Sequence, residues 1–255
     1  MHDSEYSKVE QSAHSHERLY HYTTIDALEK ILKNRTWRLK RIDKVNDLME
    51  NTKIEGLWKC KVFVACFTNR KYESYFFWKT YPQSSNEGVL ISIDNKYLTN
   101  ELALVTDKNV KLEMIRKSDL SHDSYDNDED WGIYAFLKND VTYLDRNERI
   151  DKSNWEARYK YREWDMERET RIIVALRPKG IEYYLNDDNL DFEYHTPNFE
   201  YIDALLSIDC IKTIEITLNP WADDDVKSRV KNLLLELNLS NDINVNESSL
   251  SGELQ

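Results

Sequence analysis

The feature that most constrains the fold is a short charged segment that runs directly into an apolar, β-branched run. Glu167, Glu169 and Arg171 occupy every second position just before Ile172–Leu176. Residues two apart in an extended strand share one face, so we expect a charged stripe at the mouth of a buried strand. Two carboxylates this close repel each other, and one pKa should rise unless a cation or a ligand offsets the repulsion. The alternative is a solvated strand end that carries a Glu/Arg pair on the surface.

The composition is that of a folded chain with a sizeable core. The chain has 255 residues, 40% of them hydrophobic, which suffices for one large domain or two small ones. It contains 16 Tyr and 7 Trp but only 5 Gly and 4 Pro, which excludes a low-complexity chain. The net charge of −12 makes non-specific attraction to a nucleic-acid backbone weak, although a local basic groove stays open.

The cysteine pattern indicates a reducing compartment. Cys60, Cys66 and Cys210 are an odd number, and no two of them form a C-x-x-C pair, so we expect free cytosolic thiols. The first residues lack a basic region followed by an apolar one, so we expect no signal peptide. No apolar run approaches the ~20 residues needed to cross a bilayer. We therefore expect a cytoplasmic chain with no membrane partner, and the histidine and cysteine spacing predicts no metal site.

Hydrophobic periodicity predicts short strands and helices in irregular alternation. The predicted strands cover residues 19–22, 37–40, 61–68, 88–93, 135–137, 141–144, the Glu-x-Glu segment to 176, 211–218 and 243–245. The predicted helices cover residues 25–33 after a cap at Thr23 or Thr24, 74–78, a segment from the Ser153/Glu156 capping box to 162, and 223–237. These elements predict one α+β domain over residues 18–255, with short mixed strands and peripheral helices, after a polar lead-in over residues 1–17.

Seven short signatures follow one another in a fixed order along the chain. They are Leu19-Tyr20-His21-Tyr22-Thr23, Ile31-Leu32-Lys33-Asn34, Asn46-Asp47-x-x-Glu50, Val64-Ala65-Cys66-Phe67-Thr68, Trp78-x-x-Tyr81, Gly88–Asp94 and Trp164-x-x-Glu167-x-Glu169-x-Arg171. Together they resemble an uncharacterised bacterial domain family that is linked with abortive infection and phage defence. The chain departs from the family pattern in two places: no Pro follows Asn46-Asp47, and Thr68 stands where Ser is common.

The layout of this family is similar to that of a distant ADP-ribosyltransferase, which implies a split sheet and NAD as the substrate. In such folds an Arg or His of the first strand contacts NAD, and here that position falls on His21. Thr68 or Tyr81 takes the middle position, and Glu169 takes the catalytic position with Glu167 as its companion. The resemblance implies a transferase or an NAD glycohydrolase that acts as a toxin or defence effector. The acceptor stays open between protein, nucleic acid, a small molecule and water.

The chemistry of NAD cleavage explains why these residue types are needed. Breaking the nicotinamide–ribose bond builds oxocarbenium character on the ribose, and a carboxylate near the 2′-hydroxyl stabilises that charge. Glu169 would take this role, and Glu167 would act as a general base on the acceptor. His21 would hydrogen-bond a ribose hydroxyl or the nicotinamide amide. For His21, a satisfied structural histidine is the alternative.

Five further residues complete the NAD contacts that the resemblance implies. Tyr81 would stack on the nicotinamide ring, and Arg38 or Arg171 would pair with the pyrophosphate. Tyr22 and Thr23 follow His21 directly and are predicted to bind the cofactor. The alternatives are that Tyr81 simply packs before Pro82, that Thr23 caps the helix that follows, and that Arg171 belongs to a surface Glu/Arg pair.

Two other functions stay open at this stage. A metal-dependent nuclease would hold Mg²⁺ between Asp47, Glu50 and the Glu-x-Glu carboxylates. A non-catalytic sensor or binding module would use the Trp/Glu/Arg stripe to recognise a partner or a small ligand.

Overall fold

Short strands make up most of the structure, a computed structural model that describes residues 8–11, 16–45, 56–82, 86–115, 131–148, 156–179 and 196–252. It is a mixed α+β protein with much sheet and few helices, which confirms the predicted fold class. Two compact units can be distinguished. The first comprises Met1–His14, Arg38–Cys66 and Thr99–Ala204, and the second comprises Ser15–Trp37, Phe67–Leu98 and Leu205–Gln255. Within the described ranges, no helix is both long and apolar enough to cross a membrane.

The elements are numbered in chain order. The strands are β1 (Lys8–Gln11), β2 (Arg18–Thr24), β3 (Thr36–Arg41), β4 (Val62–Thr68), β5 (Gly88–Asp94), β6 (Leu104–Thr106), β7 (Lys111–Leu112), β8 (Trp131–Asp140), β9 (Thr142–Leu144), β10 (Tyr159–Tyr161), β11 (Glu169–Pro178), β12 (Tyr201–Leu205), β13 (Glu215–Leu218) and β14 (Asn244–Asn246). The α-helices are α1 (Ile25–Asn34), α2 (Tyr75–Thr80), α3 (Ile208–Lys212) and α4 (Asp224–Glu236).

The antiparallel pair of β8 and β11 forms the centre of the first unit. Its register runs from Thr170 opposite Asp140 to Pro178 opposite Trp131. All but the last residue of β11 are buried, as expected for an apolar run that is covered on both faces. β4 also pairs with β11, and β1 pairs in parallel with β8. β1 lies within the predicted polar lead-in, and the predicted domain boundary at residue 18 stays a prediction.

An apolar cluster packs around these strands in the first unit. Cys66 and Val45 contact the cluster from its margin. Because the cluster includes residues from β4, β8 and β11, it holds the start of β11 against its neighbours. Its buried members are Ile42, Val62, Val64, Ala135, Leu137, Ala157, Ile173 and Ala175.

The second unit is organised around the antiparallel pair of β2 and β5. Seven residue pairs join them, from Arg18 opposite Asp94 to Thr24 opposite Gly88. β13 pairs with β5 in antiparallel orientation, and β14 adds to β13 in parallel. Thr68, the last residue of β4, lies opposite Tyr20 in β2. The signature Leu19–Thr23 is therefore part of a central strand of this unit.

Capping residues in the sequence specify where helix α1 begins and ends. The backbone N–H of Ala27 donates to Thr24 Oγ1 at 3.3 Å, so Thr24 is the N-cap and not Thr23. The helix ends at Asn34, and the C-cap residue Arg35 has a left-handed conformation with φ 51°. The predicted helix over residues 25–33 is confirmed.

Two predicted elements are wrong in part, because in each a second local sequence signal competes with the one that led to the prediction. The capping box predicted a helix to residue 162, but a 3₁₀ turn at Glu156–Arg158 is followed by strand β10. The Tyr-Lys-Tyr pattern of β10 suits a strand, and its parallel pairing with β9 overrides the helical signal. The predicted strand over residues 211–218 begins only at Glu215, because Ser207 caps helix α3 by accepting from the Cys210 N–H at 3.1 Å.

The N-cap of α4 gives a first testable prediction. Asp223 Oδ1 accepts from the Val226 N–H at 2.9 Å. We expect Asp223→Ala to lower the free energy of unfolding by about 1 kcal/mol, because a first-turn N–H loses its acceptor. Asp223→Asn keeps a capping oxygen and should lose much less. Urea denaturation of the two variants checks this, and an equal loss in both would show that the cap contributes nothing.

Candidate functional site

Four charged side chains are buried together at the start of β11 in the first unit. We call Lys160, Glu167, Glu169 and Arg171 the charge cluster; each is less than a tenth exposed. Two cations face two anions, so the cluster is formally neutral. The pairing matters because an isolated charge away from water costs far more than a hydrogen-bonded pair.

Glu169 and Arg171 form a bidentate ion pair. Arg171 Nε donates to Glu169 Oε1 at 2.6 Å, and Nη2 donates to Oε2 at 3.1 Å. The third guanidinium nitrogen, Nη1, donates to the carbonyl oxygen of Ala157 at 2.7 Å. Arg171 is 1% exposed and Glu169 is 4% exposed. Both residues lie on β11 two positions apart, as the sequence predicted for this part of the stripe.

Lys160 joins the two carboxylates. Its Nζ lies 2.6 Å from Glu167 Oε2 and 2.9 Å from Glu169 Oε2. The sequence pattern does not single out Lys160, because acidic and basic residues are interleaved around it and such mixed charge is typical of a solvated surface. One signal was available, which is that Lys160 lies between Tyr159 and Tyr161. This alternation indicates a strand in which the middle side chain faces away from the two tyrosines.

Glu167 does not continue the strand, so the predicted stripe of three is wrong in its first member. A 3₁₀ helix spans Arg162–Glu167, and Arg168 has a left-handed conformation with φ 41° before β11 begins. Glu167 and Glu169 are therefore separated by a left-handed residue and do not lie on one strand. The two carboxylates are brought together by Lys160 and not by the two-residue repeat of a strand.

The electrostatic surroundings keep Glu169 ionised. Burial raises the pKa of the Glu169 carboxyl, but the charges of Arg171 and Lys160, with hydrogen bonds from Arg171 and Cys66, outweigh it and lower the pKa to about 2. This is the case in which cations offset the repulsion between two carboxylates. Loss of hydration and the nearby charge of Glu169 raise the pKa of the Cys66 thiol well above its ordinary value.

The backbone of Glu169 is also fixed. Its N–H donates to the hydroxyl oxygen of Tyr143 at 2.8 Å, and its carbonyl accepts from the Val141 N–H at 2.8 Å. Both partners belong to the segment around β9. The orientation of the carboxylate is thus determined by main-chain and side-chain contacts together.

Arg38 is placed apart from these contacts within the first unit. It pairs with Asp203 through two hydrogen bonds of 2.9 and 3.0 Å. Its guanidinium carbon also lies 3.5 Å from the ring centroid of Tyr201. The side chain is 45% exposed, so one of its faces is open to solvent. The predicted contact of Arg38 with a pyrophosphate stays a prediction.

The remaining predicted NAD contacts lie in the second unit. His21 stands in β2, with its ring edge-on to Trp37 at 5.3 Å and tilted against Phe67 at 6.1 Å. Thr68 is buried, and its hydroxyl accepts from the Arg70 N–H at 3.2 Å. The aromatic neighbours of His21 fit either a structural or a binding role.

Tyr22 and Tyr81 meet at a common neighbour in the second unit. Tyr22 is buried edge-on to Phe77 at 5.2 Å, and its hydroxyl accepts from the Ser74 N–H at 2.9 Å. Tyr81 is edge-on to Phe77 at 5.5 Å but stays 43% exposed. Thr23 pairs with Val89 in the sheet. The predicted roles of these residues in NAD binding stay predictions.

Two residues of the alternative metal site, Asp47 and Glu50, lie outside the described residues. Among the residues that are described, no group of three or more His, Cys, Asp or Glu side chains is placed to hold a metal ion.

One surface groove of the second unit lies away from the predicted residues. Its volume is about 390 Å³, and it runs between α1 and α4. It contains none of the residues predicted to contact NAD. Its lining is formed by Glu29, Asp225, Ser228, Arg229, Asn232, Leu233 and Glu236.

Comparison with known proteins gives one structural likeness. No protein-family model and no curated protein matches the chain. Among solved structures, Thermus sp. 2.9 DarT in complex with NAD+ is similar over 92% of this chain and 97% of that chain, with 10% identity and a TM-score of 0.39. A TM-score of this size does not establish a shared fold. The family resemblance and its link with phage defence stay predictions.

The lowered pKa of Glu169 predicts a specific acid sensitivity. Its folded pKa of about 2 lies below the ordinary 4.5, so the stabilisation is present above pH 4.5 and is lost as the pH falls toward 2. We expect about 2 kcal/mol of this contribution to disappear between pH 5 and pH 3. Urea denaturation at both pH values should show a smaller loss for Glu169→Gln than for the natural chain. Glu163→Gln, which changes an exposed carboxylate, should keep the full loss; equal losses in all three proteins would contradict the assignment.

The bridging position of Lys160 predicts strong coupling inside the cluster. Lys160→Met should lower the free energy of unfolding by about 3–5 kcal/mol, because two buried carboxylates lose their shared cation. Adding Glu167→Gln should restore about 1 kcal/mol or more. The same double-mutant cycle on the exposed pair of Arg146 and Glu163 serves as the control. Its coupling energy should be under about 1 kcal/mol. Additive losses at Lys160 and Glu167 would contradict the bridge.

Proposed function

We propose that the chain is an NAD-using enzyme, an ADP-ribosyltransferase or an NAD glycohydrolase, with Glu169 as its catalytic carboxylate. The observation that carries this proposal is that Glu169 is held anionic and in one orientation by Arg171 and Lys160. A carboxylate that is charged and oriented before the reaction needs no reorganisation when positive charge develops on a substrate. The sequence resemblance supplies the substrate, and the charge cluster supports the role of the residue.

The proposed reaction breaks the bond between the nicotinamide nitrogen and ribose C1′. Nicotinamide leaves with the bonding electrons, and Glu169 stabilises the positive charge that develops on the ribose. An acceptor or a water molecule then bonds to C1′ and gives up its proton. Glu167 is proposed as the base that takes this proton, and Lys160 is proposed to orient both carboxylates.

The other predicted residues are assigned to NAD binding within the same proposal. His21, Tyr22, Thr23, Thr68 and Tyr81 are proposed to bind NAD. Arg38 is proposed for the pyrophosphate in preference to Arg171, because Arg38 exposes nearly half of its side chain whereas Arg171 is buried against Glu169. An effector role in the cytoplasm, as a toxin or in phage defence, and an ADP-ribosyltransferase-like split sheet belong to the proposal as well.

A second candidate function, a non-catalytic sensing or binding module, is favoured by the completeness of the same ion pair. Both oxygens of Glu169 already accept from Arg171, and the residue is almost fully buried. In this function the cluster is a structural support. The surface around the cluster would then bind the ligand without catalysing a reaction.

Nicotinamide release from NAD by the purified chain separates the two functions. We expect release that falls by about 100-fold or more in Glu169→Gln, since a positioned catalytic carboxylate contributes at least that much. Glu163→Gln makes the same chemical change at an exposed carboxylate of the first unit and should keep full activity. Each variant is first checked for folding at pH 7 by circular dichroism.

The assay is run with and without cell lysate as a source of acceptor. Release that persists in Glu169→Gln would exclude Glu169 as the catalytic group. No release under either condition, together with no NAD-dependent change in melting temperature, would overturn the NAD proposal and leave the binding module. His21→Ala tests the second unit separately, because a binding role predicts a raised KM.

A further inference from the structure

A short segment after β14 reaches the residues that precede helix α2 in the second unit. β14 is held to β13 by strand pairing, from Glu215 opposite Asn244 to Thr217 opposite Asn246. Beyond it, residues 248–250 contact Glu73 and a buried aromatic cluster. We call residues 248–250 the strap. The strap is thus anchored at its beginning by a strand and held further on by a few separate contacts.

A single carboxylate binds the strap. Glu73 accepts from the hydroxyl of Ser248 at 2.5 Å, and from the backbone N–H and the hydroxyl of Ser249 at 2.7 and 2.8 Å. The same carboxylate accepts from Trp78 Nε1 at 3.0 Å. Hydrogen bonds to an ionised carboxylate are stronger than those between neutral groups. Glu73 therefore joins the strap to helix α2.

The strap also packs on the aromatic cluster that surrounds Tyr22. Leu250 of the strap lies against this cluster, and Ser248 is buried beside Glu73. The hydroxyl of Tyr22 accepts from the N–H of Ser74, the residue next to Glu73. Tyr22 and the strap are therefore fixed to neighbouring residues of one loop. The buried members of the cluster are Tyr22, Phe77, Trp78 and Leu90.

A ligand reaches the ring of Tyr22 only when a neighbouring group moves, because Tyr22 is 6% exposed. The other buried members of the cluster lie on α2 and on β5, which are regular elements with buried faces. The strap belongs to no helix or strand, and Ser249 is exposed. Segments with few buried contacts open at a lower free energy than core elements. The strap is therefore the part of this cover that opens most easily.

We propose that the strap closes the aromatic cluster in the free chain and opens to admit NAD. The bonds to Glu73 and the Leu250 contact favour the closed state, whereas NAD binds the open state. The apparent affinity for NAD is then reduced by the fraction of the chain that is open. This proposal rests on the proposed NAD function, in which Tyr22 contacts NAD, and adds regulation to that site.

Weakening the strap should tighten NAD binding. Ser248→Ala combined with Ser249→Ala removes two of the four hydrogen bonds to Glu73 and keeps those from the Ser249 N–H and from Trp78. Loss of two hydrogen bonds shifts an opening equilibrium by about tenfold. We therefore expect the Kd for NAD, measured by titration calorimetry on the full chain, to fall by about tenfold. A strap that only stabilises the fold predicts unchanged or weaker binding.

Two further variants control for the chemical change. Leu250→Ala weakens the packing contact instead of the hydrogen bonds and should also lower the Kd for NAD. Ser251→Ala makes the same Ser-to-Ala change at an exposed serine beside the strap and should leave the Kd unchanged. Circular dichroism first checks that each variant is folded.

Hydrogen exchange of the natural chain without NAD tests the opening by itself. The backbone N–H groups of Ser249 and Leu250 donate to Glu73 and to the Ser248 hydroxyl, at 2.7 and 3.0 Å. If the strap opens alone, both should exchange about tenfold or more faster than the hydrogen-bonded N–H groups of β2. Equal rates would show that the strap opens only when the whole unit unfolds, and would overturn the proposal.

The affinities separate this proposal from the NAD proposal. If the natural chain binds NAD and the strap variants bind it no more tightly, the strap proposal is overturned and the NAD proposal stands. If neither the natural chain nor any variant binds NAD, both proposals are overturned.

Discussion

The first unit depends on the burial of charge at the start of β11. Taking Glu169 and Arg171 out of water is costly, and the cost is offset only where every donor and acceptor finds a well-placed partner. Here the guanidinium is matched by two carboxylate oxygens and by the Ala157 carbonyl, and Lys160 balances the second carboxylate. Loss of one partner would leave the other charges buried without a partner. The turn before β11 and the segment around β9 must therefore keep their positions at the same time.

The same contacts give the candidate site its chemical character. A carboxylate with a pKa of about 2 is anionic at any physiological pH, so Glu169 suits the proposed role of stabilising positive charge and does not suit that of a proton donor. Its tight pairing with Arg171 is also what favours a purely structural role. The two functions differ in one physical respect. In the enzyme, an oxygen of Glu169 must contact the ribose, and in the binding module Arg171 keeps both oxygens.

Local patterns predicted the regular elements well where one signal dominates. The apolar run Ile172–Leu176 predicted β11, and acids followed by apolar residues at helical spacing predicted α4. Prediction failed where two local signals compete. At Tyr159–Tyr161 strand pairing with β9 prevails over a capping box. The Ser207 cap places the first two residues of the strand predicted over 211–218 in helix α3.

The sequence by itself determined the α+β class, the strand that carries Glu169 and Arg171, and the nearness of two carboxylates to a cation. Only the tertiary structure decided that Lys160 bridges Glu167 and Glu169, and that Arg168 turns the chain with a left-handed backbone. The physical reason is the distance along the chain over which each kind of interaction acts. Strand and helix signals act between neighbours along the chain, whereas burial and the pKa of a carboxylate depend on groups that only folding brings together.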